Sequence, residues 1–337
     1  MSYAIIGNPD PDSAVGRAVF GEIADGRIPN ATYLVPWKYK PQSAPGRLLL
    51  RIIKYCKWHH VLPQIFGWYG SVGWRRIRRV LDGQNDTVIY APGTQIFAHV
   101  PENAVDVLRR RLKGCRFVYC FVDGVERTAA INQVPVDRIT DFVRQFDAVI
   151  TYDHEDALAF GYAYVDIPVW KSDAPAPCVD SDLYFCGRDK QRADLLYSVY
   201  NRLTAAGLKC RYHVVGSLDS DYARQDIMFT DWAPYPDVVA ELRASGCILE
   251  MIAPQNRGAT LRYKEAVLYN KKLLTNNPDL EKLPYYDPRY MRYFQTVEDI
   301  DIEWLRRSEP IDYGYQGEFS ASHFLRAVPA ASSCRAE

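Results

Sequence analysis

Short β-type runs alternate with helix-type runs in this chain, and the alternation constrains the fold more than any other feature of the sequence. Between two of these runs, "NAVDVLRRRLKG" (103–114) has helical spacing and ends at Gly114, as helices commonly do. Apolar strands separated by helices predict a parallel sheet that is covered on both faces. The β-type runs of the first half are "YAIIG" (3–7), "ATYLVPW" (31–37), "DTVIYA" (86–91), "RFVYCFV" (116–122) and "DAVITY" (147–152).

The alternation is interrupted near residue 170 and then begins again. The segment "KSDAPAPCVDSD" (171–182) is rich in Pro, Asp and Ser, which is typical of a linker. With 337 residues the chain has room for two domains with separate cores. Two successive α/β domains predict a ligand cleft between them, and we expect "FSASHFLRAV" (319–328) to return toward the first. The second half is predicted to contain strands 183–187, 210–216, 247–252 and 272–276 and helices 190–207, 237–246 and 260–271.

Charge is unevenly distributed, although 41 basic and 41 acidic residues give the chain a net charge of zero. No acidic residue lies between Gly26 and Leu81, while that segment holds 11 lysines and arginines. The rest of the chain therefore carries 41 acidic residues against 30 basic ones. A segment of this kind predicts a local positive surface on an otherwise acidic protein.

The acid-free segment also has amphipathic spacing. In "RLLLRIIKYCKW" (47–58) basic residues recur at helical intervals with leucines and isoleucines opposite, and tryptophans then alternate with further arginines. This pattern is typical of a helix lying on an anionic membrane, and the alternative is a packed helix with a solvated basic face. Nucleic-acid binding is disfavoured because the remainder is acidic and RNA-binding motifs are absent. The candidate membrane or acceptor-lipid residues are Arg47, Arg51, Lys54, Trp58, Trp74, Arg75 and Arg76.

Three features bear on the compartment. The N-terminus "MSYAIIGNPD" lacks a basic n-region and is predicted to be a first strand rather than a signal peptide. No apolar run approaches the roughly 20 residues that span a bilayer. The eight cysteines are scattered without a CxxC pair, which predicts reduced thiols in a cytoplasmic protein and neither a zinc site nor a disulfide framework.

Glycines follow three predicted strands of the second half. Gly187 is followed by Arg188 in "FCGRDKQR", Gly216 ends "HVVG", and a third glycine lies within "APQNRGATLRYKEA" (253–266). In an open parallel sheet, ligands bind beyond the carboxyl ends of the strands, where helix N-termini supply N–H groups. Three such ends in successive units of one domain predict a binding site at this edge.

The third of these loops has the features of a phosphate site. Gly258 stands just before a predicted helix, and Thr260 is placed to be its N-cap. The helix start is flanked by Arg257 and Arg262, and a helix N-terminus with two arginines suits a diphosphate.

Three long segments resemble bacterial GT-B glycosyltransferases of polysaccharide and O-antigen (lipopolysaccharide) biosynthesis. "DLYFCGRDKQRADLLYSVYNRLTAAGLKCRYHVVG" (182–216) resembles the opening of that family's nucleotide-sugar domain. "SGCILEMIAPQNRGATLRYKEAVLYNKKLLTNNPDL" (245–280), followed by "YYDPRYM" (285–291), is similar to the rest of it. "FDAVITYDHEDALAFGYAYVDIPVW" (146–170) looks like the segment that leads into the linker. The resemblance implies an α/β protein of GT-B fold, with two Rossmann-like domains facing each other across a cleft.

The resemblance also assigns parts of the chain. Residues 1–170 are implied to bind the acceptor, 171–310 the nucleotide-sugar, and the tail 311–337 to return partly to the N-terminal domain. Glu265 of "YKEA" is implied to contact the ribose hydroxyls, while the glutamate that many GT-B enzymes carry eight residues earlier is replaced here by Arg257. The implied donor-binding residues are Gly187, Arg188, Gly216, Arg257, Gly258, Thr260, Arg262 and Glu265.

The implied activity is transfer of a sugar from a nucleotide-sugar, UDP- or GDP-linked, to a lipid-linked or oligosaccharide acceptor in cell-surface polysaccharide synthesis. The enzyme would act from the cytoplasm as a peripheral protein on the inner face of the membrane, without a cofactor. Arginines suffice to stabilise a leaving diphosphate, so no metal is predicted. Four Asp-x-Asp triplets are weak indications of a metal site among so many aspartates: Asp10–Asp12, Asp180–Asp182, Asp219–Asp221 and Asp299–Asp301.

An inverting transferase needs a general base near the acceptor hydroxyl. Asp123 directly follows a predicted buried strand and is the candidate for that role, while His154 is predicted to be structural. Two alternatives stay open at this point. One is a nucleotide-sugar epimerase or pyruvyl transferase on the same scaffold. The other is a non-catalytic membrane-bound scaffold of an assembly complex, which the arginine at position 257 keeps in consideration.

Overall fold

The structure is a computed structural model of the chain. It describes residues 1–7, 14–34, 81, 86–92, 104–188, 192–215, 227–230, 233–252 and 258–330. The chain divides into two compact units. Unit 1 comprises Met1–Trp170 and Ser320–Glu337, and unit 2 comprises Lys171–Phe319.

Unit 1 contains a six-stranded sheet in the order β2-β1-β3-β4-β5-β6, in which every neighbouring pair is parallel. Its strands are β1 (Tyr3–Gly7), β2 (Ala31–Leu34), β3 (Thr87–Ala91), β4 (Arg116–Cys120), β5 (Ala148–Thr151) and β6 (Ala163–Tyr164). Its helices are α1 (Ala14–Ala24), α2 (Ala104–Arg111), α3 (Val125–Asn132), α4 (Val136–Val143), α5 (His154–Phe160) and α10 (Ala321–Ala330).

Both faces of this sheet are covered by helices, which is why its strands are mostly apolar. Ala4 and Ile6 of β1 belong to one buried cluster, with residues of α2, α3 and α4. Tyr3 and Ile5 point the other way and belong to a second cluster, with residues of α1 and α10. Alternate residues of one strand thus enter two separate cores, as expected for a parallel sheet between two helical layers.

Unit 2 contains a second six-stranded parallel sheet in the order β12-β11-β10-β7-β8-β9. Its strands are β7 (Ser181–Gly187), β8 (Cys210–Val215), β9 (Met228–Thr230), β10 (Ser245–Glu250), β11 (Lys272–Thr275) and β12 (Met291–Tyr293). Its α-helices are α6 (Ala193–Ala205), α7 (Tyr235–Arg243), α8 (Leu261–Leu268) and α9 (Ile302–Arg306), and two short 3-10 turns cover Leu280–Lys282 and Val297–Asp299. The predicted pair of parallel α/β sheets is confirmed.

The segment that joins the two units is hydrogen-bonded within unit 1 at Trp170 and within unit 2 at Ser172. The Trp170 backbone N–H donates to the carbonyl of Ala18 at 2.6 Å, and its indole Nε1 donates to Asp25 at 3.1 Å. Two residues later, the Ser172 backbone N–H donates to the Tyr269 hydroxyl at 3.0 Å. The predicted linker, 171–182, has no helix, and its only strand residues are the first two of β7.

The C-terminal helix α10 belongs to unit 1, although the residues just before it belong to unit 2. The Ala321 backbone N–H donates to a carboxylate oxygen of Glu22 at 3.1 Å. The Phe324 ring lies edge-on to Phe20 of α1, with centroids 6.2 Å apart. The chain therefore closes unit 1 with its last described helix.

Candidate nucleotide-binding site

The strand order of unit 2 creates a switch point between β7 and β10. From β7 the chain proceeds to β8 and β9 on one side, and it then returns to place β10 on the other side of β7. At such a point the connections leave the two strands in opposite directions and open a crevice beyond their carboxyl ends. Gly187 ends β7, Glu250 ends β10, and helix α8 starts eleven residues after β10 ends.

The N-terminus of α8 is capped as the sequence predicted. The Thr260 hydroxyl accepts hydrogen bonds from the backbone N–H groups of Arg262 at 3.1 Å and Tyr263 at 3.3 Å. Gly258, two residues before the cap, has a φ of +76°, a left-handed conformation that glycine adopts without strain. The prediction of Thr260 as N-cap is confirmed, and the helix presents the positive end of its dipole at the switch point.

Arg262 connects the start of α8 with the end of β7. Its Nη2 donates to the carbonyl of Cys186 at 3.1 Å, and its Nη1 is paired with the Glu265 carboxylate one turn along the helix. Burial disfavours the charged guanidinium, but the neighbouring Glu265 carboxylate outweighs it and holds the pKa of Arg262 above its usual value. Arg262 therefore stays protonated at the switch point, as the cationic half of an ion pair with Glu265.

Glu265 is fully buried, and both of its carboxylate oxygens have partners within unit 2. The Tyr235 hydroxyl donates to Oε1 at 2.6 Å, and Arg262 pairs with Oε2. Burial and then the Glu265 charge raise the pKa of Tyr235, so the phenol stays protonated and remains a donor. The structure brings Glu265 and Arg262 together as predicted residues of one site, and the ribose contact of Glu265 stays a prediction.

Arg192 joins the two strand ends on either side of the switch point. Its guanidinium donates to the carbonyl of Arg188, from Nε at 3.2 Å and from Nη2 at 2.9 Å, and to the carbonyl of Met251. A Cβ atom at Gly187 would lie 3.3 Å from Cζ of Phe185, so a side chain there fits only if that ring moves. The loop that carries Gly187 and Arg188 is thus attached to β10 by an arginine outside the predicted set.

Sequence reasoning missed three buried residues at the ends of β10 and β11. Glu250 is 1% exposed, and Thr275 and Asn277 are fully buried. The Glu250 carboxylate accepts hydrogen bonds from the hydroxyls of Thr260 and Thr275. Burial raises the pKa of Glu250, and the two hydroxyl bonds act against that shift. A glutamate that ends the apolar run "CILE" was the available signal, because a carboxylate inside a sheet needs donors from its neighbours.

In unit 1, Asp123 lies just after β4, at the edge where the sequence placed it. Its Oδ2 pairs with Nε of Arg127 at 3.0 Å, and its Oδ1 accepts from the Gly124 backbone N–H at 3.1 Å. Nearby, Asp156 accepts from the Val125 backbone N–H at 2.9 Å. Burial, opposed in part by that bond and reinforced by neighbouring carboxylates, raises the pKa of Asp156 to about 6. His154 stacks on the ring of Tyr164.

Other predicted residues lie outside the described ranges. They are Gly216 and Arg257 of the donor set, the membrane set Arg47, Arg51, Lys54, Trp58, Trp74, Arg75 and Arg76, and the triplets Asp10–Asp12 and Asp219–Asp221. Within the described part of the chain, Asp180 pairs with Arg211, Asp182 accepts from the Lys209 backbone, and Asp299 and Asp301 cap helical turns.

Two further observations concern the described residues only. Their His, Cys, Asp and Glu side chains form no group of three arranged to hold a metal ion. No helix among them has the length and apolar character needed to cross a membrane.

Comparison with known proteins rests on structure, because the sequence matches no family model and no curated protein. An alpha-glucosyltransferase (AGT) in complex with UDP matches with a TM-score of 0.55 at 10% identity, over 98% of this chain and 98% of that one. The fold is GT-B. The predicted fold class, with two Rossmann-like units, is confirmed.

Two further structures are similar at lower scores. A TarM variant from S. aureus in complex with UDP matches at 11% identity with a TM-score of 0.45. The match covers 69% of this chain and 51% of that chain, so the chain spans about half the length of TarM. The spinosyn forosaminyltransferase SpnP matches at 12% identity with a TM-score of 0.40, over 91% of this chain and 88% of that one.

Proposed function

We propose that the protein is a glycosyltransferase that takes a sugar from a UDP- or GDP-linked donor bound by unit 2. One observation carries the proposal. In a GT-B fold, the switch point of the second sheet holds a capped helix N-terminus, a left-handed glycine and a charged arginine in one place. This combination of N–H donors and fixed positive charge suits a diphosphate.

In the proposed donor complex, the diphosphate lies against Gly258, Thr260 and the first turn of α8, with Arg262 beside it. Gly187 and Arg188 approach from the end of β7. Glu265 is the proposed ribose contact, which requires the ribose to take the place of one of its present partners, Tyr235 or Arg262. Gly216 and Arg257, which lie outside the described residues, complete the proposed set. Positive charge at this position stabilises the diphosphate as it leaves, so the proposal includes neither metal nor cofactor.

The acceptor half of the proposal concerns unit 1. We place a lipid-linked or oligosaccharide acceptor of cell-surface polysaccharide synthesis there, with Asp123 as general base if the reaction inverts configuration. The basic segment that contains Arg47 and Trp74 would lie on the anionic inner face of the cell membrane, which makes the enzyme a peripheral protein of the cytoplasmic side. No nucleic acid takes part in this scheme.

Calorimetric titration with UDP, GDP and the corresponding nucleosides tests the donor site. We expect one of the two diphosphates to bind. Replacing the exposed Arg188 with glutamine should weaken that binding about tenfold, while the affinity for the nucleoside stays the same. The matched control is Arg144→Gln, which removes an exposed arginine just after α4 of unit 1. A wild-type protein that binds neither diphosphate contradicts the proposal.

A second measurement separates transfer from the alternatives. Incubation of the bound nucleotide-sugar without any acceptor should leave it unchanged apart from slow hydrolysis. Rapid conversion to an epimer under these conditions would replace the transferase assignment with an epimerase. Binding to anionic vesicles by a protein that binds no nucleotide would favour the non-catalytic scaffold.

A further inference from the structure

A buried polar network lies next to the proposed diphosphate subsite. None of its residues is a proposed ligand contact. It consists of Glu250 at the end of β10 and of Thr275 and Asn277 at the end of β11. All three are at most 1% exposed. Buried polar groups carry a free-energy penalty unless they are hydrogen-bonded, so a cluster of three has a structural reason.

The hydrogen bonds of the two threonines run in a defined direction. The Thr260 hydroxyl oxygen accepts from two backbone N–H groups, at 3.1 Å and 3.3 Å, so its own proton is directed to Glu250. The Thr275 hydroxyl accepts from the Asn277 backbone N–H at 3.0 Å and donates to the second oxygen of Glu250. Glu250 is therefore a double acceptor, which is the role of an ionised carboxylate.

Asn277 holds the other end of the same loop. Its Nδ2 donates to the carbonyl of Gly258 at 2.9 Å, and its Oδ1 accepts from the Asp279 backbone N–H at 3.0 Å. Both ends of the loop 258–260 are thus held by hydrogen bonds from the buried network. Asn277 holds Gly258, and Glu250 holds Thr260. This arrangement fixes both the left-handed glycine and the N-cap.

We propose that Glu250, Thr275 and Asn277 are positioning residues of the diphosphate subsite. They touch no ligand, and they act through Gly258 and Thr260, whose placement directs the first N–H groups of α8 toward the phosphates. The inference rests on the proposed function, because it assigns the network to that donor site. Its physical basis is preorganisation: donors that are held in place before binding lose little conformational entropy when the anion arrives.

Thr275 offers the sharpest test. Thr275→Val keeps the side-chain shape but removes the hydroxyl, so one oxygen of Glu250 and the Asn277 N–H both lose a partner. We expect the Kd for the nucleoside diphosphate to rise about tenfold while the Kd for the nucleoside is nearly unchanged. Thr275→Ser retains the hydroxyl and should restore tight binding. The matched control is Thr204→Val, which removes a hydroxyl that bonds only within α6.

A second variant covers the case in which Thr275→Val does not fold. Glu250→Gln replaces one acceptor oxygen with an NH₂ group that faces a threonine hydroxyl, and it should also weaken the diphosphate selectively. A merely structural role would lower the affinities for diphosphate and nucleoside by the same factor, and that result overturns the inference. Folded variants that bind the diphosphate as tightly as wild type overturn it too. If the wild type itself binds no diphosphate, the proposed function fails first and the positioning role with it.

Discussion

The two units hold partly or fully buried carboxylates in opposite surroundings. In unit 2, Glu250 and Glu265 are buried, and each of their oxygens meets a hydroxyl or a guanidinium. In unit 1, Asp156 is only partly buried and lies among other carboxylates, with one backbone N–H as its donor. The first arrangement fixes charges in place, whereas the second leaves a carboxyl group that exchanges a proton near neutral pH.

The difference bears on what each unit can do chemically. A transferase has to bind an anionic donor rigidly, and buried acids that anchor a cation and a helix N-terminus serve that purpose. Acceptor activation, which we propose for unit 1, needs a carboxylate whose pKa lies near the working pH, and burial followed by neighbouring carboxylates raises the pKa of Asp156 to about 6. Because Asp156 and Asp123 both contact the start of α3, unit 1 has two carboxylates at this position where the sequence indicated one.

The largest expected effect is on stability, from removal of the Glu265 carboxylate. Glu265→Ala removes the ion partner of the Arg262 guanidinium and the acceptor of the bond that the buried Tyr235 hydroxyl donates. We expect a loss of about 3–5 kcal/mol in the free energy of unfolding, measured with urea, together with weaker nucleotide binding. Glu303→Ala breaks a comparable pair with Arg306 on α9, also three residues apart but exposed, and should cost less than about 1 kcal/mol. Equal losses in the two variants would contradict the contrast between anchored and solvated carboxylates.

A smaller effect is expected from Tyr235→Phe, which removes only the hydroxyl. One oxygen of Glu265 then lacks a donor in the protein interior, and we expect a loss of about 1–3 kcal/mol in the free energy of unfolding. Tyr212→Phe is the matched control, because that buried hydroxyl has a long bond of 3.4 Å to the carbonyl of Leu196. If both substitutions cost the same, the Tyr235 bond does not hold Glu265 in place.

The parts that the sequence predicted well are those set by neighbours along the chain. Strand β1 coincides with the run 3–7, because the apolar residues and the glycine that follows them define where the strand begins and ends. Thr260 was predicted as an N-cap because a hydroxyl stands directly before a helical run. Strands β9 and β12 were missed, since three residues are too few to show a period of two.

The buried side-chain hydrogen bonds of unit 2 could not be predicted from the sequence, for a physical reason. Tyr235 and Glu265 are 30 residues apart and lie on two different helices, so only tertiary packing brings them together. Glu250 and Thr275 are 25 residues apart, and the parallel register of β10 and β11 places them side by side. A lone Tyr, Thr or Asn in a sequence does not reveal whether its hydrogen bonds go to water or to a distant carboxylate. The predicted role of Glu265 illustrates the limit. The resemblance predicts a ribose contact, which stays a prediction, and the structure shows the carboxylate bonded to Arg262 and Tyr235.

The smallest expected effect concerns Asp156 and pH. Because its pKa is raised from 3.8 to about 6, the folded state binds this proton more tightly than the unfolded chain does. The free energy of unfolding should therefore fall as pH rises from about 4 to about 6, and Asp156→Asn should remove that part of the fall while keeping an acceptor for the Val125 N–H. At pH 7 we expect the variant to be more stable by about 1 kcal/mol or less, since partial exposure screens the repulsion.

Urea unfolding from pH 4 to 7 measures the difference. The control is Asp141→Asn, a solvated aspartate on α4 whose side chain is 69% exposed. Parallel pH profiles for wild type and Asp156→Asn would show that Asp156 is an ordinary surface carboxylate and would remove the contrast between the two units.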